Sequence, residues 1–220
     1  MKKATLRAAL FDLDGTLIET EEQYTRFWQE AARRYRPDVP DLAQRIKGTT
    51  LTQILDTYFP DPATRQSLRQ ALDEWEAQMS YSLYPRAEQF LRSLRAKGVL
   101  TALVTSSDLG KMSLVYRKTP ALRPLFDCVL TSEDFAASKP DPDCYLQAAR
   151  RLGCERGECV VFEDAVTGLK AGTSAGIFTV GMTTTNPPSL VAPLCHLTLA
   201  SFEGLTLEHL LSLWHPLDNS

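Results

Sequence analysis

The stretch Ala8-Ala9-Leu10-Phe11-Asp12-Leu13-Asp14-Gly15-Thr16 decides the fold of this 220-residue chain. A short apolar run that ends at a glycine turn predicts a buried strand, here Ala8–Phe11. Asp12 and Asp14 then lie just beyond the carboxyl end of that strand. Taken alone, such a pair is also compatible with two solvated acids in a turn, so the rest of the chain must decide.

The following stretch, from about residue 19 to residue 84, carries the three-and-four spacing of helices. Aromatic residues and alanines recur on one helix face from Tyr24 to Tyr35. Further apolar groups predict a second helix around 54–59 and a third around 68–79, with prolines separating the three. This block contains no convincing strand.

After Pro85 the pattern changes to alternating helices and strands. This alternation predicts a parallel sheet with helices on both faces. The predicted fold class is α/β, with a Rossmann-like core of residues 1–17 and 86–220 and a small all-helical domain, residues 18–85, inserted after the first strand. The predicted strands are 99–104, 127–130, 159–162 and 177–180, and the predicted helices are 87–96, one through 112–116, 141–151 and 165–175.

The composition argues against several classes of protein. Hydrophobic residues make up 44% and charged residues 23%, and the net charge of −3 does not suit a nucleic-acid binder with a basic face. The mean hydropathy is −0.19, and no apolar run approaches the roughly 20 residues of a membrane span. Arg7 and Asp12 interrupt any signal-peptide core, so we expect a cytoplasmic protein.

Cysteine and histidine usage narrows the chemistry further. The five cysteines are odd in number and form no CxxC pair, which favours free thiols in a reducing compartment. The three histidines, His196, His209 and His215, all fall near the C-terminus. A histidine nucleophile or a site with several histidine ligands is therefore poorly supported.

Polar clusters directly follow three of the predicted strands. In an open parallel sheet, ligands bind in the crevice at the carboxyl ends of the strands, so we expect these side chains to meet there. The clusters are Asp12 with Asp14, Thr105-Ser106-Ser107, and Glu163 with Asp164, joined by Lys139 from a loop.

Four carboxylates brought together in this way repel one another unless a cation neutralises them. An oxygen donor set without histidine or paired thiols favours Mg²⁺ over Zn²⁺. Lys139 and the hydroxyl groups then remain to hold an anion. An anion held beside a nucleophilic carboxylate predicts phosphoryl transfer through an aspartyl-phosphate.

These clusters resemble the four ordered motifs of the haloacid dehalogenase superfamily. The loop around Lys139 and the helical insert are typical of its β-phosphoglucomutase-like and phosphoglycolate phosphatase-like branch. Four motifs in the right order are a strong signal. The resemblance implies that the insert is a cap over a Rossmann-like core. In chain order the motifs are Phe11–Leu17, Thr105, Lys139, and Glu163-Asp164 with Gly168.

The resemblance also implies a role for each motif residue. Asp12 is expected to be the nucleophile. Asp14 is expected to be the general acid and then the general base, with its backbone carbonyl on the metal. Thr105 and Lys139 are expected to hold the phosphoryl oxygens. The implied Mg²⁺ ligands are Asp12, Asp14, Glu163 and Asp164, with Glu163 in the ligand set or just behind it.

The cap bears on the substrate. A β-phosphoglucomutase has histidine where this chain has Tyr24, and arginine after a cap loop that here reads Lys47-Gly48-Thr49-Thr50-Leu51. That arginine would grip the second phosphate of a bisphosphate, so its absence favours water as the acceptor. Arg86 is a further departure, because glycine is common there. The candidate substrate-binding residues are Gly15, Tyr24, Lys47, Thr49, Thr50 and Ser106.

We therefore predict a Mg²⁺-dependent phosphatase acting on a small phosphorylated metabolite, as a monomer or weak homodimer, with no nucleic-acid or membrane partner. The alternatives are a β-phosphoglucomutase-like mutase, an inorganic pyrophosphatase, a non-catalytic phosphate- or partner-binding protein, and a receiver-type signalling domain. Asp14 argues against a dehalogenase, because a halide needs no proton to leave. Asp14 and the large insert also argue against a receiver domain.

Overall fold

A six-stranded parallel sheet forms the centre of the computed structural model, which describes residues 5–217. The strands are β1 (Ala8–Phe11), β2 (Leu100–Val104), β3 (Cys128–Leu130), β4 (Cys159–Glu163), β5 (Phe178–Met182) and β6 (Leu197–Leu199). Their order across the sheet is β3-β2-β1-β4-β5-β6, so β1 pairs with β2 on one side and β4 on the other. The strand order reverses at β1, and such a reversal opens a crevice beyond the carboxyl ends of the strands.

Helices connect the strands and cover both faces of the sheet. They are α1 (Glu21–Tyr35), α2 (Leu42–Arg45), α3 (Leu51–Tyr58), α4 (Pro62–Gln78), α5 (Ala87–Ala96), α6 (Leu109–Lys118), α7 (Asp143–Arg151), α8 (Val166–Ser174), α9 (Pro188–Val191) and α10 (Leu207–Leu213). Helices α1–α4 all come between β1 and α5, and we call them the helical insert. The α/β fold class predicted from the alternating pattern is confirmed.

The sheet is apolar on both faces. Successive residues of a strand point to opposite sides, and apolar residues occupy both sets of positions. In β1, Ala9 and Phe11 join a core with α5 and α6, whereas Ala8 and Leu10 join a core with α7 and α8. Phe11 also stacks on Phe162 of β4, with ring centroids 4.7 Å apart. The continuous apolar run before Asp12 therefore reflects burial on two sides.

The helical insert has a hydrophobic cluster of its own. Phe27 and Trp28 of α1 meet edge to face, with ring centroids 5.1 Å apart. Trp28 lies 6.3 Å from the ring of Phe59, and Leu68 and Leu72 of α4 complete the cluster. The aromatic stripe therefore provides packing within the insert.

Some element boundaries differ from the predicted ones. Helix α4 begins at Pro62, earlier than the predicted start near Leu68. Asp61 caps it by accepting a hydrogen bond from the Thr64 amide over 2.8 Å. Proline is favoured at the next position because an N–H there would have no partner within the helix. The sequence pattern also missed α2, α9 and β6, which are too short to show a clear period.

Two further features concern the whole described chain. Within residues 5–217, no helix is both long enough and apolar enough to cross a bilayer. All five cysteines lie in this range as free thiols, in agreement with their odd number.

Candidate active site

Three buried carboxylates meet at the carboxyl ends of the two central strands. Asp12 follows β1, Glu163 ends β4, and Asp164 comes next in the chain. One oxygen from each lies within 4.8 Å of the others. Asp12 is 6% exposed, and the other two side chains are completely buried. The predicted meeting of the first and fourth motifs is therefore found in the fold.

Lys139 offsets part of this negative charge from a fully buried position. Its Nζ donates to Asp12 Oδ1 over 2.6 Å and to Glu163 Oε1 over 2.9 Å. It also donates to the carbonyl of Val104, at the end of β2, over 3.3 Å. The ring of Tyr145 lies 5.0 Å from the same ammonium group. Lys139 thus ties the carboxylates to the neighbouring strand.

Burial governs the protonation of this cluster. It raises the pKa of Asp12 well above the usual value, while the positive charge of Lys139 opposes the rise. Burial also raises the pKa of Asp164, and the nearby Glu163 carboxylate raises it further. Burial acts to lower the pKa of Lys139, but the facing carboxylates outweigh it and raise that pKa. Burial therefore disfavours negative charge on Asp12 and Asp164 unless positive charge lies beside them.

This donor set fits a hard divalent cation. Among residues 5–217, the clustered ligand atoms are carboxylate oxygens alone, without histidine or thiol. Such oxygen sets suit Mg²⁺, whereas zinc sites commonly use nitrogen and sulfur ligands. Three buried carboxylates against one lysine also leave a charge that a divalent cation would balance.

Asp164 is oriented by side chains from two loops. Thr16 Oγ1 donates to Oδ1 over 2.8 Å, and Thr185 Oγ1 donates to Oδ2. Gly15 allows this close approach, because a Cβ atom on it would lie 2.3 Å from Asp164 Oδ2. Its φ of +80° is also one that glycine adopts readily. The glycine of the first motif therefore makes room for the acid of the fourth.

Asp14 lies near the cluster but has different partners. Its Oδ1 accepts a hydrogen bond from Thr20 Oγ1 over 2.5 Å. Its Oδ2 accepts from Ser107 Oγ over 3.1 Å and from Lys111 Nζ over 2.6 Å. Within the described residues its carboxylate is not one of the clustered ligand groups. The two aspartates of the first motif therefore have distinct surroundings.

The three hydroxyl side chains that follow β2 each form a hydrogen bond with a different partner. Thr105 is buried, and its Oγ1 accepts from the Ser107 amide over 3.1 Å. Ser106 Oγ donates to the carbonyl of Gly48 in the helical insert over 2.8 Å. Ser107 Oγ donates to Asp14. One short segment thus connects the sheet edge, the insert and the second aspartate.

A cavity of about 510 Å³ opens between the sheet edge and the helical insert. Asp12, Asp14 and Thr105 line it from the sheet side. Its volume lies in the range of small-ligand sites. In the described part of the chain, Gly15 is not a lining residue, because it packs behind Asp164. The other candidates all line the cavity: Tyr24, Lys47, Thr49, Thr50 and Ser106.

The insert loop at 47–50 rests directly on the core. Thr167 Oγ1 donates to the Lys47 carbonyl over 2.8 Å. The hydroxyls of Thr50 and Ser138 are 2.9 Å apart. At Gly48, a Cβ atom would lie 2.3 Å from Thr167 Oγ1, so the contact requires a glycine.

The remaining loop side chains have local partners. Thr49 Oγ1 donates to the carbonyl of Ile46 over 2.6 Å. Lys47 Nζ lies 3.3 Å from Glu21 Oε2, at the start of α1. Both side chains reach the cavity while they are held by the insert itself.

Sequence reasoning missed two buried residues that contact Tyr24. Lys111 of α6 pairs with Asp14 and lies 4.4 Å from the centre of the Tyr24 ring. Glu76 of α4 accepts a hydrogen bond from Tyr24 Oη over 2.6 Å. The sequence offered one signal for Lys111. A lysine in the first turn of a helix is unfavourable, because the start of a helix carries partial positive charge.

A model of the haloacid dehalogenase-like hydrolase family matches residues 6–176. The chain belongs to this family. It is 31% identical over 197 residues to a validoxylamine A 7'-phosphate phosphatase of Streptomyces hygroscopicus subsp. limoneus, covering 84% of this chain and 90% of the relative. It is 27% identical over 225 residues to a beta-phosphoglucomutase of Bacillus subtilis (strain 168), covering 95% and 96%.

The fold of this hydrolase is also found in solved structures. A hydrolase from Pseudomonas syringae matches with a TM-score of 0.79 and 21% identity, covering 94% of this chain and 99% of that one. At that identity the likeness concerns the fold. The family match and the phosphatase relative identify the enzyme as a phosphoric monoester hydrolase of the haloacid dehalogenase-like family.

Arg86 has a conformational explanation in this hydrolase. It precedes α5 with a φ of 67°, the left-handed region that favours glycine. Its exposed guanidinium donates to Gln89 Oε1 over 2.7 Å. Within residues 5–217 the cavity lining does not include Arg86. The side chain therefore lies on the surface, and the backbone explains why glycine is common there.

Proposed function

We propose that this enzyme is a Mg²⁺-dependent phosphatase that hydrolyses a small phosphate ester through a phosphorylated Asp12. One observation carries the proposal: Asp12 is fixed by Lys139 beside Glu163 and Asp164 and also lines a cavity that Asp14 shares. A carboxylate placed between a cation site and a substrate-sized cavity is suited to attack on phosphorus.

In the first step, a carboxylate oxygen of Asp12 attacks phosphorus, and the bond from phosphorus to the ester oxygen breaks. Asp14 supplies the proton that the leaving oxygen takes up. Lys139 and Thr105 hold phosphoryl oxygens. The loop residue Lys139 bonds Asp12, and Thr105 directly follows β2, the strand beside β1. Fixed charges of this kind stabilise the transition state without reorganisation.

In the second step, water attacks the phosphorus of phospho-Asp12. Asp14, now deprotonated, accepts the proton of the attacking water. The bond between phosphorus and the Asp12 oxygen breaks, which releases phosphate and restores both aspartates. The same residue thus acts as acid and then as base.

Asp12, Asp164 and the Asp14 carbonyl would hold Mg²⁺, with Glu163 in the ligand set or just behind it. The ion would screen the charge of the phosphoryl group. The chain's own part is to orient those ligands. Thr16 and Thr185 fix Asp164, and Lys139 bridges Asp12 and Glu163.

The helical insert acts in this proposal as a cap domain, residues 18–85, over a core of residues 1–17 and 86–220. Its loop at 47–50 touches Ser106, Ser138 and Thr167 and closes one side of the cavity. A closed cap excludes water other than the attacking one. Lys47, Thr49, Thr50 and Tyr24 then face the leaving group.

Water is the acceptor in preference to a second sugar phosphate, because the cap loop lacks the arginine expected of a mutase. The Streptomyces relative is named as a phosphatase, which also supports water as the acceptor. The Bacillus relative, named as a phosphoglucomutase, keeps a phosphomutase as the second candidate.

The test is phosphate release from phosphomonoesters and pyrophosphate, with Mg²⁺ or with chelator. Asp12→Asn is compared with wild type and with Asp38→Asn, an exposed aspartate of the insert. We expect Mg²⁺-dependent release from monoesters, a loss of at least about 1,000-fold in Asp12→Asn, and no change in Asp38→Asn. Retained activity in Asp12→Asn would refute the aspartyl-phosphate.

The other outcomes separate the remaining candidates. Conversion of β-glucose 1-phosphate to glucose 6-phosphate without phosphate release would support the mutase. Preference for pyrophosphate would support a pyrophosphatase. Tight phosphate binding by folded protein without turnover would support a binding protein.

A further inference from the structure

Lys111 occupies a place where a lysine is locally unfavourable. It lies in the first turn of α6, and its amide donates to the helix cap, Asp108 Oδ1, over 2.9 Å. The start of a helix carries partial positive charge and favours carboxylates over cations. Lys111 is also only 7% exposed, so its ammonium group has lost most of its contact with water. A residue that breaks a local rule while buried points to a functional role.

The ammonium group is directed at Asp14. Lys111 Nζ donates to Asp14 Oδ2 over 2.6 Å. Ser107 reaches the same oxygen, and Thr20 reaches the other oxygen. Three donors from three separate segments therefore fix both oxygens of one carboxylate. Of these donors, Lys111 carries a charge, so its hydrogen bond is the strongest kind.

The other side of Lys111 faces the helical insert. Its Nζ lies 4.4 Å from the centre of the Tyr24 ring, within the range of a cation–π contact. Tyr24 Oη in turn donates to Glu76, which is buried at 8% exposure. Residues of α1 and α4 thus complete the surroundings of a core lysine. The lysine can have this environment only while the insert lies on the core.

We propose that Lys111 is a positioning residue that fixes the Asp14 carboxylate for proton transfer when the insert is closed. The inference rests on the proposed function, in which Asp14 gives its proton to the leaving oxygen. Lys111 lines the cavity beside Asp14, and in this proposal it acts through Asp14. Tyr24 and Glu76 hold the lysine in place from the cap side.

The dependence of activity on the leaving group tests this role. 4-Nitrophenolate leaves without a proton, whereas the alkoxides from 2-glycerophosphate and sorbitol 6-phosphate need one. The quantity to compare is kcat/KM, which covers the steps up to departure of the leaving group. We expect Lys111→Met to lower it about 100-fold for the alkyl esters and less than about threefold for 4-nitrophenyl phosphate. Lys111→Arg, which keeps the cation, should recover most of the loss.

Lys118→Met is the matched control on the same helix. Lys118 is exposed and donates to the carbonyls of Ala77 and Met79 in the insert, so it touches the cap without touching Asp14. We expect its effect to be the same for both kinds of ester. Lys111→Gln serves as a second variant of Lys111, with circular dichroism to check folding. It should show the same selective loss as Lys111→Met.

Three results would overturn the inference. An equal loss for both kinds of ester would mean a structural role only. A higher KM with unchanged kcat, for the alkyl esters alone, would mean that Lys111 binds the leaving group. Undiminished activity in Lys111→Met and Lys111→Gln would mean no role. A failure of the proposed function is distinguishable, because wild type would then hydrolyse neither kind of ester or Asp12→Asn would remain active.

Discussion

Gly168 lies so close to Glu163 that a Cβ atom on residue 168 would stand 1.6 Å from the Oε1 atom. The Glu163 carboxylate is fully buried and cannot move aside into solvent. Its oxygens are already engaged by Lys139 Nζ and the Ala165 amide, over 2.9 Å and 2.7 Å. The first turns of α8 therefore need a glycine so that the acid ending β4 can fold beneath them.

Gly168→Ala should displace Glu163 and weaken its bond to Lys139. We expect a loss of about 1–3 kcal/mol in the free energy of unfolding, as for other overpacked sites, and at least about a tenfold fall in kcat. Urea unfolding and phosphate release measure the two effects. Gly157→Ala is the control, since the nearest atom to its Cβ lies 3.9 Å away. Equal behaviour of the two variants would contradict the packing argument.

Lys139→Met should leave Asp12 and Glu163 buried without their cation. Removing one partner of a buried ion pair costs about 3–5 kcal/mol, so we expect a loss of that size in the free energy of unfolding at neutral pH. Urea unfolding in the presence of chelator provides the measurement. Lys170→Met, at an exposed lysine of α8, should change stability by less than about 0.5 kcal/mol. A small effect at Lys139 would contradict a buried ion pair at this position.

Mg²⁺ should stabilise the fold through the carboxylate cluster. At a concentration about 100-fold above its Kd, we expect Tm to rise by roughly 5–10 °C, because the ion binds the folded chain in preference to the unfolded one. Differential scanning fluorimetry with Mg²⁺ or chelator measures the shift. Asp164→Asn should abolish it and Asp38→Asn should leave it intact. A full shift in Asp164→Asn would place the ion elsewhere.

Gly48→Ala should lift the insert loop from the core. A Cβ atom there would clash with Thr167 Oγ1 at 2.3 Å, and the φ of +76° is unfavourable for alanine. Gly98→Ala is a matched control, because its φ is +79° and nothing lies within 4 Å of its Cβ. Both variants should lose about 1 kcal/mol of stability, but only Gly48→Ala should lower kcat/KM, by roughly tenfold. Equal kcat/KM values in the two variants would argue against a role for the loop.

Asp127 should contribute stability that depends on pH. Burial acts to raise its pKa, but hydrogen bonds from the Thr101 amide and Arg95 outweigh this, and the pKa is lowered. The stabilisation is therefore present above the unfolded pKa of about 3.9 and is lost as pH falls through the lower folded value. Asp127→Asn should cost about 1 kcal/mol at pH 7, and the cost should decrease as the pH falls through the folded pKa of Asp127. Urea unfolding across pH measures this.

Asp73→Asn is the control for that experiment, because Asp73 forms no ion pair within residues 5–217. It should not alter the pH dependence of stability. A parallel loss in both variants at every pH would show that the Asp127 contacts do not depend on its charge.

The motif residues could be recognised from the sequence because each follows a strand with a clear local signal. The apolar run before Asp12 and the run before Glu163 both identify strand ends, and parallel strands bring such ends together. The contacts of the helical insert were harder to predict from the sequence. Thr49 and Thr50 are alike in sequence, yet Thr49 bonds its own loop at Ile46 whereas Thr50 meets Ser138 of the core.

The sequence by itself determined the order of helices and strands, the α/β class and the identity of the acidic cluster, because periodicity and turn residues act over a few positions. Only the tertiary structure decided that Lys111 pairs with Asp14 and that Gly48 rests on Thr167. Those contacts join segments far apart in the chain. They depend on how the insert lies on the core, which no local pattern encodes.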